Sequence, residues 1–386
     1  MLQNIKKIDW IIVTILVLFG VISTMLVFSA TSNPQSSIQI PISRNVVNFT
    51  FGLIGLFFFT MFDYRVLVKG SFYAYGFGLL LLVVVYFFGV ELNGQRGWFK
   101  IPLVGNFQPA EFMKLVLIVV IAAMMSRRRG EKLELRSDIF PIGLTMFFPF
   151  MLVLIQPDLG NAVIFIIIIL GMLWIGNIQY KHVLIGGVII GGLLALLFYL
   201  FNQYNDPIIR FITELGAPDR WVTRINTFLN PGNATFNERY QVDQSMIAIG
   251  SGSLTGDGFL QGNSVHKGFI PYAYADSIFV VLGEEFGFVG GATLLLLYFV
   301  LIYRMILIAV QTKDLAGSYM IVGIISMFVF QIFQNIGMLI GIMPVTGITL
   351  PFISYGGTSL LINMISVGIA LSVKVHNQNR SMFDDD

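Results

Sequence analysis

The chain has 386 residues, 56% of them hydrophobic and 11% charged, with a mean hydropathy of +0.81. A soluble domain carries roughly 25% charged residues, so this composition describes an integral membrane protein. A net charge of +2 without a basic, aromatic-laced stripe argues against a nucleic-acid partner, the absence of cysteine excludes disulfides and thiolate metal sites, and three scattered histidines (His182, His266, His376) do not build a metal centre.

The first apolar run, Trp10 to Ala30, is about as long as a full span and is followed by many others, so it reads as a retained anchor. Ten runs near twenty residues predict helices near 10–30, 46–62, 71–90, 112–126, 139–155, 161–177, 183–201, 283–303, 317–340 and 353–373. Strand-period alternation is absent, which argues against a barrel. The expected architecture is an all-α polytopic membrane protein with one membrane domain over 1–386. With the N-terminus inside, fourteen lysines and arginines fall in inner segments and eight in outer ones, five of these in one long loop, while Lys114 lies inside a span. Both termini are therefore expected in the cytoplasm. "SRRRGEKLELR" is a stop-transfer loop on this reading. The segment 202–276 is the single large excursion and is expected outside. Within it, "DRWVTRINTFLNPG" suits an amphipathic interfacial helix ended by the turn at Asn230-Pro231-Gly232. Asn233-Ala234-Thr235 matches a glycosylation acceptor, a pattern too short to carry weight.

Four polar clusters interrupt the apolar pattern, and this topology puts all of them on the outer side: residues 93–114, 156–161, the run from Tyr240 through Phe288, and 343–359. Gln108-Pro109-Ala110-Glu111 and Gln156-Pro157-Asp158 both resemble helix starts, with proline where its missing N–H is no loss and an acid at the positive end of the dipole. Asp158 fits that structural role, as does Gln108. Glu111 carries more, because Lys114 follows three residues later on the same helical face, and a buried pair of that kind often marks a pathway or a site. The glycines of "GSGSLTGDG" are able to present backbone amides to a phosphate, though they fit neither the Walker nor the dinucleotide pattern. "SYGGTS", with Ser354, either lines a site or lets two helices approach closely.

Asp276 stands where the long loop re-enters the membrane, beside Tyr272 and Tyr274, which suit an interface belt. On one continuous helix Glu284 would lie about 80° from Asp276 and Glu285 about 180°, so the three acids would not share a face. Asp276 is the chemical candidate, and Glu284 and Glu285 are given structural roles. An outward site flush with the membrane suits a lipid-borne substrate. The cations Arg44, Arg96, Lys100, Lys114, Arg210, Arg220, Arg224 and Lys267 suit a phosphate or pyrophosphate. One carboxylate suits a general base acting on a hydroxyl, and a pyrophosphate leaving group needs charge neutralisation more than an acid. These residues are compatible with sugar transfer from a lipid pyrophosphate, as one hypothesis among several.

The blocks "GWFKIPLVGNFQPAEFMKL", "QPDLGN", "RYQVDQSMIAIGSG", "ADSIFVVLGEEFGF" and "NIGMLIGIMPVTGITLPFISYGGTS", in that order, resemble the SEDS family (shape, elongation, division and sporulation), which contains RodA and FtsW, over essentially the full length. The resemblance implies a peptidoglycan glycosyltransferase that polymerises lipid II into β-1,4 glycan strands outside the bacterial cytoplasmic membrane. It also implies an undecaprenyl-linked glycan chain as second substrate, a class B penicillin-binding protein as partner and membership of the cell-elongation machinery, with a divalent cation (magnesium or manganese) as an optional cofactor. Asp276 matches the family's catalytic aspartate, and Glu111 and Lys114 match its "QPSEFxK" acid and base, with Ala110 replacing serine. The sequence departs from the family at Tyr272, Ala275 and Ser277, which keep the carboxylate and change its surroundings. The "GFLQG" spacing and the "AIGSGSLTGDG" run look more like RodA than FtsW. The rival readings are a flippase or transporter for the same lipid, and a non-catalytic scaffold for a transpeptidase. A carrier needs polar groups reaching the inner face, whereas these clusters are one-sided.

Overall fold

The computed structural model describes residues 5–32, 41–92, 95–101, 105–204, 207, 224, 226–229 and 236–377. In chain order the elements are α1 (Trp10–Thr31), α2 (Ile42–Met61), α3 (Tyr64–Lys69), α4 (Ser71–Phe88), β1 (Val90–Leu92), β2 (Gln95–Ile101), β3 (Gly105–Phe107), α5 (Pro109–Ser126), α6 (Phe140–Ile155, entered through a π turn), α7 (Leu159–Ile175), α8 (Tyr180–Gln203), α9 (Phe236–Ser251), α10 (Asn263–His266), α11 (Ile278–Gln311), α12 (Leu315–Leu339) and α13 (Gly357–Asn377). Among the described residues nine helices are long and apolar enough to cross a membrane, and α7, at 17 residues, is a shorter apolar one. Each expected span thus has its helix, because a chain in hydrocarbon must satisfy its own backbone N–H and C=O groups. The protein is an all-α polytopic membrane protein.

Helix α5 is the axis of the bundle. Fifteen of its 18 residues are buried, Glu111 and Lys114 among them. Around it pack α4, α7, α12 and α13, with α2 laid along α13 and α1 against α11. Helices α4 and α6 bury few residues, and α8 exposes Leu184, Ile185, Val188 and Leu193 along its length. Helices apolar all round and bare on most sides are those whose remaining surface belongs to lipid.

Toward the end of the bundle that carries the first and last described residues, a charged clamp joins α1, α11 and α13. Buried Asp9 accepts from Lys374 Nζ at 2.8 Å and from Arg304 Nη2 at 2.5 Å. Burial alone would raise the Asp9 pKa, but the two cations hold it below the ordinary carboxylate range. Tyr64 donates to Asp314 Oδ2 at 2.7 Å beside it.

The opposite end is built from elements the apolar pattern does not announce. A three-stranded antiparallel sheet, in the order β1–β2–β3, covers it, pairing Val90 with Trp98 and Phe99 with Phe107. The sequence did contain a hairpin signal there, Asn93-Gly94, which favours a tight turn between strands. The long excursion is not one structureless loop, since α9 and α10 lie within it. In the stretch expected as an interfacial helix, 224 and 226–229 are helical, and the turn at Asn230-Pro231-Gly232 lies outside the described residues.

Helix α11 breaks at Gly287, with φ 59° and ψ −156°, a conformation essentially restricted to glycine. The break frees backbone groups that the glycine-rich run 250–258 takes up. Asp257 N–H donates to the Glu284 carbonyl at 2.9 Å and Gly258 N–H to that of Glu285 at 3.0 Å, while Ser253 and Leu254 carbonyls accept from Phe288 and Val289 at 3.0 Å each. A Cβ on Gly252 or Gly256 would strike carbonyl oxygens of α11. These glycines thus serve close backbone packing, which replaces the phosphate-cradle reading of "GSGSLTGDG".

Candidate active site

All four polar clusters contribute to the wall of one cavity of about 280 Å³ at the sheet-bearing end. Strands β2 and β3 supply Trp98 and Asn106, and α5 supplies Glu111 after Gln108. The start of α7 supplies Asp158 and Asn161, the segment before α11 supplies Tyr272, Tyr274, Ala275 and Asp276, and 346–349 with 355–359 close the far side.

Asp276 sits just before α11, in a turn made by Tyr272. That tyrosine has φ 51°, in the left-handed region that bulky residues rarely adopt, and its carbonyl accepts from Ala275 N–H at 2.9 Å and Ser277 N–H at 3.4 Å. Such strain persists only where surrounding contacts impose it. Here Asn335, fully buried on α12, donates to the Asp276 carbonyl and to the Ile348 carbonyl, both at 2.7 Å. Tyr355 N–H donates to the Tyr274 carbonyl at 3.0 Å, so the Asp276 turn and the 343–359 segment are tied together. The carboxylate oxygen Oδ1 of Asp276 is buried without a hydrogen-bond partner among the described residues. Poor hydration pushes the Asp276 pKa up to about 6, against its own backbone N–H, Arg224 and the Ser277 N–H, which pull it down. Tyr272 and Tyr274, expected as belt residues, line the cavity instead.

Behind it lies a buried polar pair and its support. Lys114 Nζ is 2.8 Å from Glu111 Oε1, with the two side chains 0% and 7% exposed, and Glu111 Oε2 has no partner among the described residues. Asp158 caps α7, accepting from Asn161 N–H at 3.1 Å and from the side-chain amides of Asn161 and Gln108 at 2.8 Å each. Burial raises the Asp158 pKa, the amide hydrogen bonds lower it, and Glu111 and Lys114 push in opposite directions. Gln108 is thereby a link between two helix starts.

Other candidates are placed elsewhere. Glu284 accepts from the Ser264 and Val265 N–H groups at 2.6 and 3.1 Å, capping α10, and Glu285 accepts from the Ser29 hydroxyl with His266 Nε2 3.6 Å away. Ser354 Oγ accepts from Leu350 N–H at 2.8 Å within a turn and does not reach the cavity wall; Tyr355, Thr358 and Ser359 do. Arg44, Arg96, Lys100 and Lys267 are exposed and line none of this cavity, while Arg210 and Arg220 lie outside the described residues. Among the described residues the cation at the wall is Arg224. Trp98 and Asn106 on strands and Asn161 and Gln241 on helices escaped the sequence reading because uncharged residues carry no signal of convergence. Among the described residues no three His, Asp or Glu side chains gather as a metal site. A divalent ion here would take most of its oxygens from a phosphate-bearing ligand and water, as magnesium commonly does.

Residues 6–379 match the FtsW/RodA/SpoVE cell cycle protein family. Stage V sporulation protein E of Bacillus subtilis is 36% identical over 338 residues, covering 85% of each chain. The probable peptidoglycan glycosyltransferase FtsW of Haemophilus influenzae is 34% identical, covering 79% of this chain and 73% of its own. The peptidoglycan glycosyltransferase MrdB of Escherichia coli is 30% identical, covering 94% and 92%. Among solved structures, a chain from a peptidoglycan synthase complex that coordinates polymerization and crosslinking superposes with a TM-score of 0.75 at 27% identity, covering 98% of this chain and 99% of that one. The rod shape determining protein RodA of Thermus thermophilus superposes with a TM-score of 0.67 at 26% identity, covering 98% of both. Matched almost end to end in sequence and in fold, this multi-pass membrane protein belongs to the FtsW/RodA/SpoVE family.

Proposed function

We propose that the chain is a peptidoglycan glycosyltransferase that polymerises lipid II into β-1,4 glycan strands, with Asp276 as general base. The observation that carries this reading is a carboxylate with an unmet oxygen and a raised pKa, on a turn whose backbone carbonyl Asn335 holds, at the wall of a cavity lined by polar side chains. A base titrating near neutrality is suited to taking a proton from a hydroxyl. Asp276 accepts the proton of the acceptor sugar's 4-hydroxyl as that oxygen bonds to the anomeric carbon of the donor chain. The bond from that carbon to the pyrophosphate oxygen breaks, its electron pair leaves with undecaprenyl pyrophosphate, and the configuration inverts. Arg224, at the cavity wall, supplies positive charge to meet the leaving pyrophosphate.

The termini are assigned to the cytoplasm and the cavity to the outer face, supported by the lysine and arginine asymmetry. A class B penicillin-binding protein is the partner we assign, supported by the superposition on a chain of a synthase complex. For the cellular role we assign elongation, supported by the RodA-like blocks and by the superposition on a rod shape determining protein. Sporulation is the second reading, favoured by the 36% identity to the stage V protein. Depletion in growing rods separates them, since loss of rod shape fits elongation and unchanged growth sinks it.

The test of the chemistry is polymerisation of labelled lipid II by purified protein with its cognate transpeptidase. Asp276→Asn, equally well folded, is expected to lose about 10²–10⁴-fold in rate, the usual contribution of a positioned base. Unchanged polymerisation moves the base elsewhere, Glu111 first. If wild type makes no polymer with its partner bound, the carrier and scaffold readings take over.

A further inference from the structure

A second cavity, of about 230 Å³, adjoins the first. Arg224 lines both. The two also share walls: on α9, Gln241 faces the first and Val242 the second, and in the 343–359 segment Thr346 faces the first and Val345 the second. The second cavity combines Arg224 and Arg239 with the apolar Phe228, Met246 and Pro344. Two guanidinium groups beside apolar surface fit a phosphate joined to a hydrocarbon chain, since the guanidinium fork matches phosphate oxygens. Asp243 also lines it, 3.4 Å from Arg239 Nη2, with both side chains about two-fifths exposed. A pair that long and that wet yields readily to a doubly charged anion.

We propose that this second cavity is the donor subsite, holding the pyrophosphate and the first isoprenoid carbons of the lipid-linked donor. The inference rests on the polymerase reading above and deepens it. An inverting displacement needs the attacking and leaving oxygens on opposite sides of the anomeric carbon, so base and leaving group require separate compartments. Asp276 occupies the first cavity, and Arg224 stands at the boundary with the second. As the anomeric carbon–oxygen bond breaks, its electron pair settles on the pyrophosphate, where Arg224 and Arg239 meet the growing charge. The acceptor's proton stays on the Asp276 side.

The experiment measures binding of undecaprenyl pyrophosphate to the purified full chain in phosphatidylcholine nanodiscs, with undecaprenyl phosphate and phosphatidylglycerol as competitors. Arg239→Gln is expected to weaken binding about tenfold, as for loss of one charge-assisted hydrogen bond. Met246→Trp, at a side chain 40% exposed, fills the apolar part and is expected to weaken it at least as much. Asp276→Asn is expected to bind like wild type. Normal binding by both cavity variants overturns the proposal, and so does equal displacement by phosphatidylglycerol, which would make this a general anionic-lipid site. Polymerisation is scored in parallel: an active Asp276→Asn protein defeats the base assignment and leaves the binding result standing.

Discussion

Lys114→Met is the most demanding perturbation the structure offers. The ammonium is fully buried and 2.8 Å from Glu111 Oε1, so the substitution leaves a carboxylate 7% exposed with no counter-charge and with Asp158 nearby. Breaking a buried pair by removing one partner costs about 3–5 kcal/mol, whereas removing both charges is often close to neutral. Unfolding entropy scales as about 2.1 cal/mol/K per residue, which for a chain of this length is about 0.8 kcal/mol per degree, so a loss near 4 kcal/mol lowers the midpoint by roughly 5 °C. The double variant Glu111→Gln/Lys114→Met should recover most of that, since both net charges are gone. The assay is thermal unfolding in one detergent, followed by tryptophan fluorescence, with lipid II polymerisation measured on each folded protein. A double variant stable yet inactive places the pair in substrate handling, and a stable, active one makes it structural. Equal midpoints for the single and double variants would refute the electrostatic reasoning itself.

Three further outcomes are expected. Asp276 must be ionised to act, so with a pKa of about 6 the polymerisation rate should fall about tenfold per unit below pH 6 and level off above pH 7; a flat profile between pH 5 and 7 argues against it. Because the folded pKa lies above the reference 3.8, this group favours the fold most at low pH and loses that contribution as pH rises through about 6, so the acid-side loss of rate is not unfolding driven by Asp276. Gly287→Ala puts a side chain in a left-handed, extended conformation against the Gly252 and Gly256 backbone, and should destabilise by about 1–3 kcal/mol in chemical unfolding. Asn335→Leu removes two 2.7 Å hydrogen bonds that hold the Asp276 and Ile348 carbonyls, and is expected to lower the maximal rate more than it raises the KM for lipid II; a pure KM effect would deny the positioning role.

The spans were legible because hydrocarbon imposes one simple rule, and runs of some twenty apolar residues satisfy it wherever they occur. Asp276, Glu111 and Lys114 stood out for the same reason, as charges too costly to carry at a membrane without cause. The sequence alone therefore determined the class of protein, the order of its helices, its family resemblance and the charged residues to suspect. What it could not express is which polar residues meet, because cavities join segments hundreds of positions apart. Only the tertiary structure set Tyr272 and Tyr274 at the cavity wall, spent Ser354 on a turn, set Glu284 to capping α10 and left Arg44 and Lys267 exposed. It also showed why "GSGSLTGDG" is rich in glycine, since that run mends the break at Gly287 through backbone contacts no side chain would permit. Charge cost is a local property and is written along the chain; convergence depends on packing, and packing exists only once the helices have assembled.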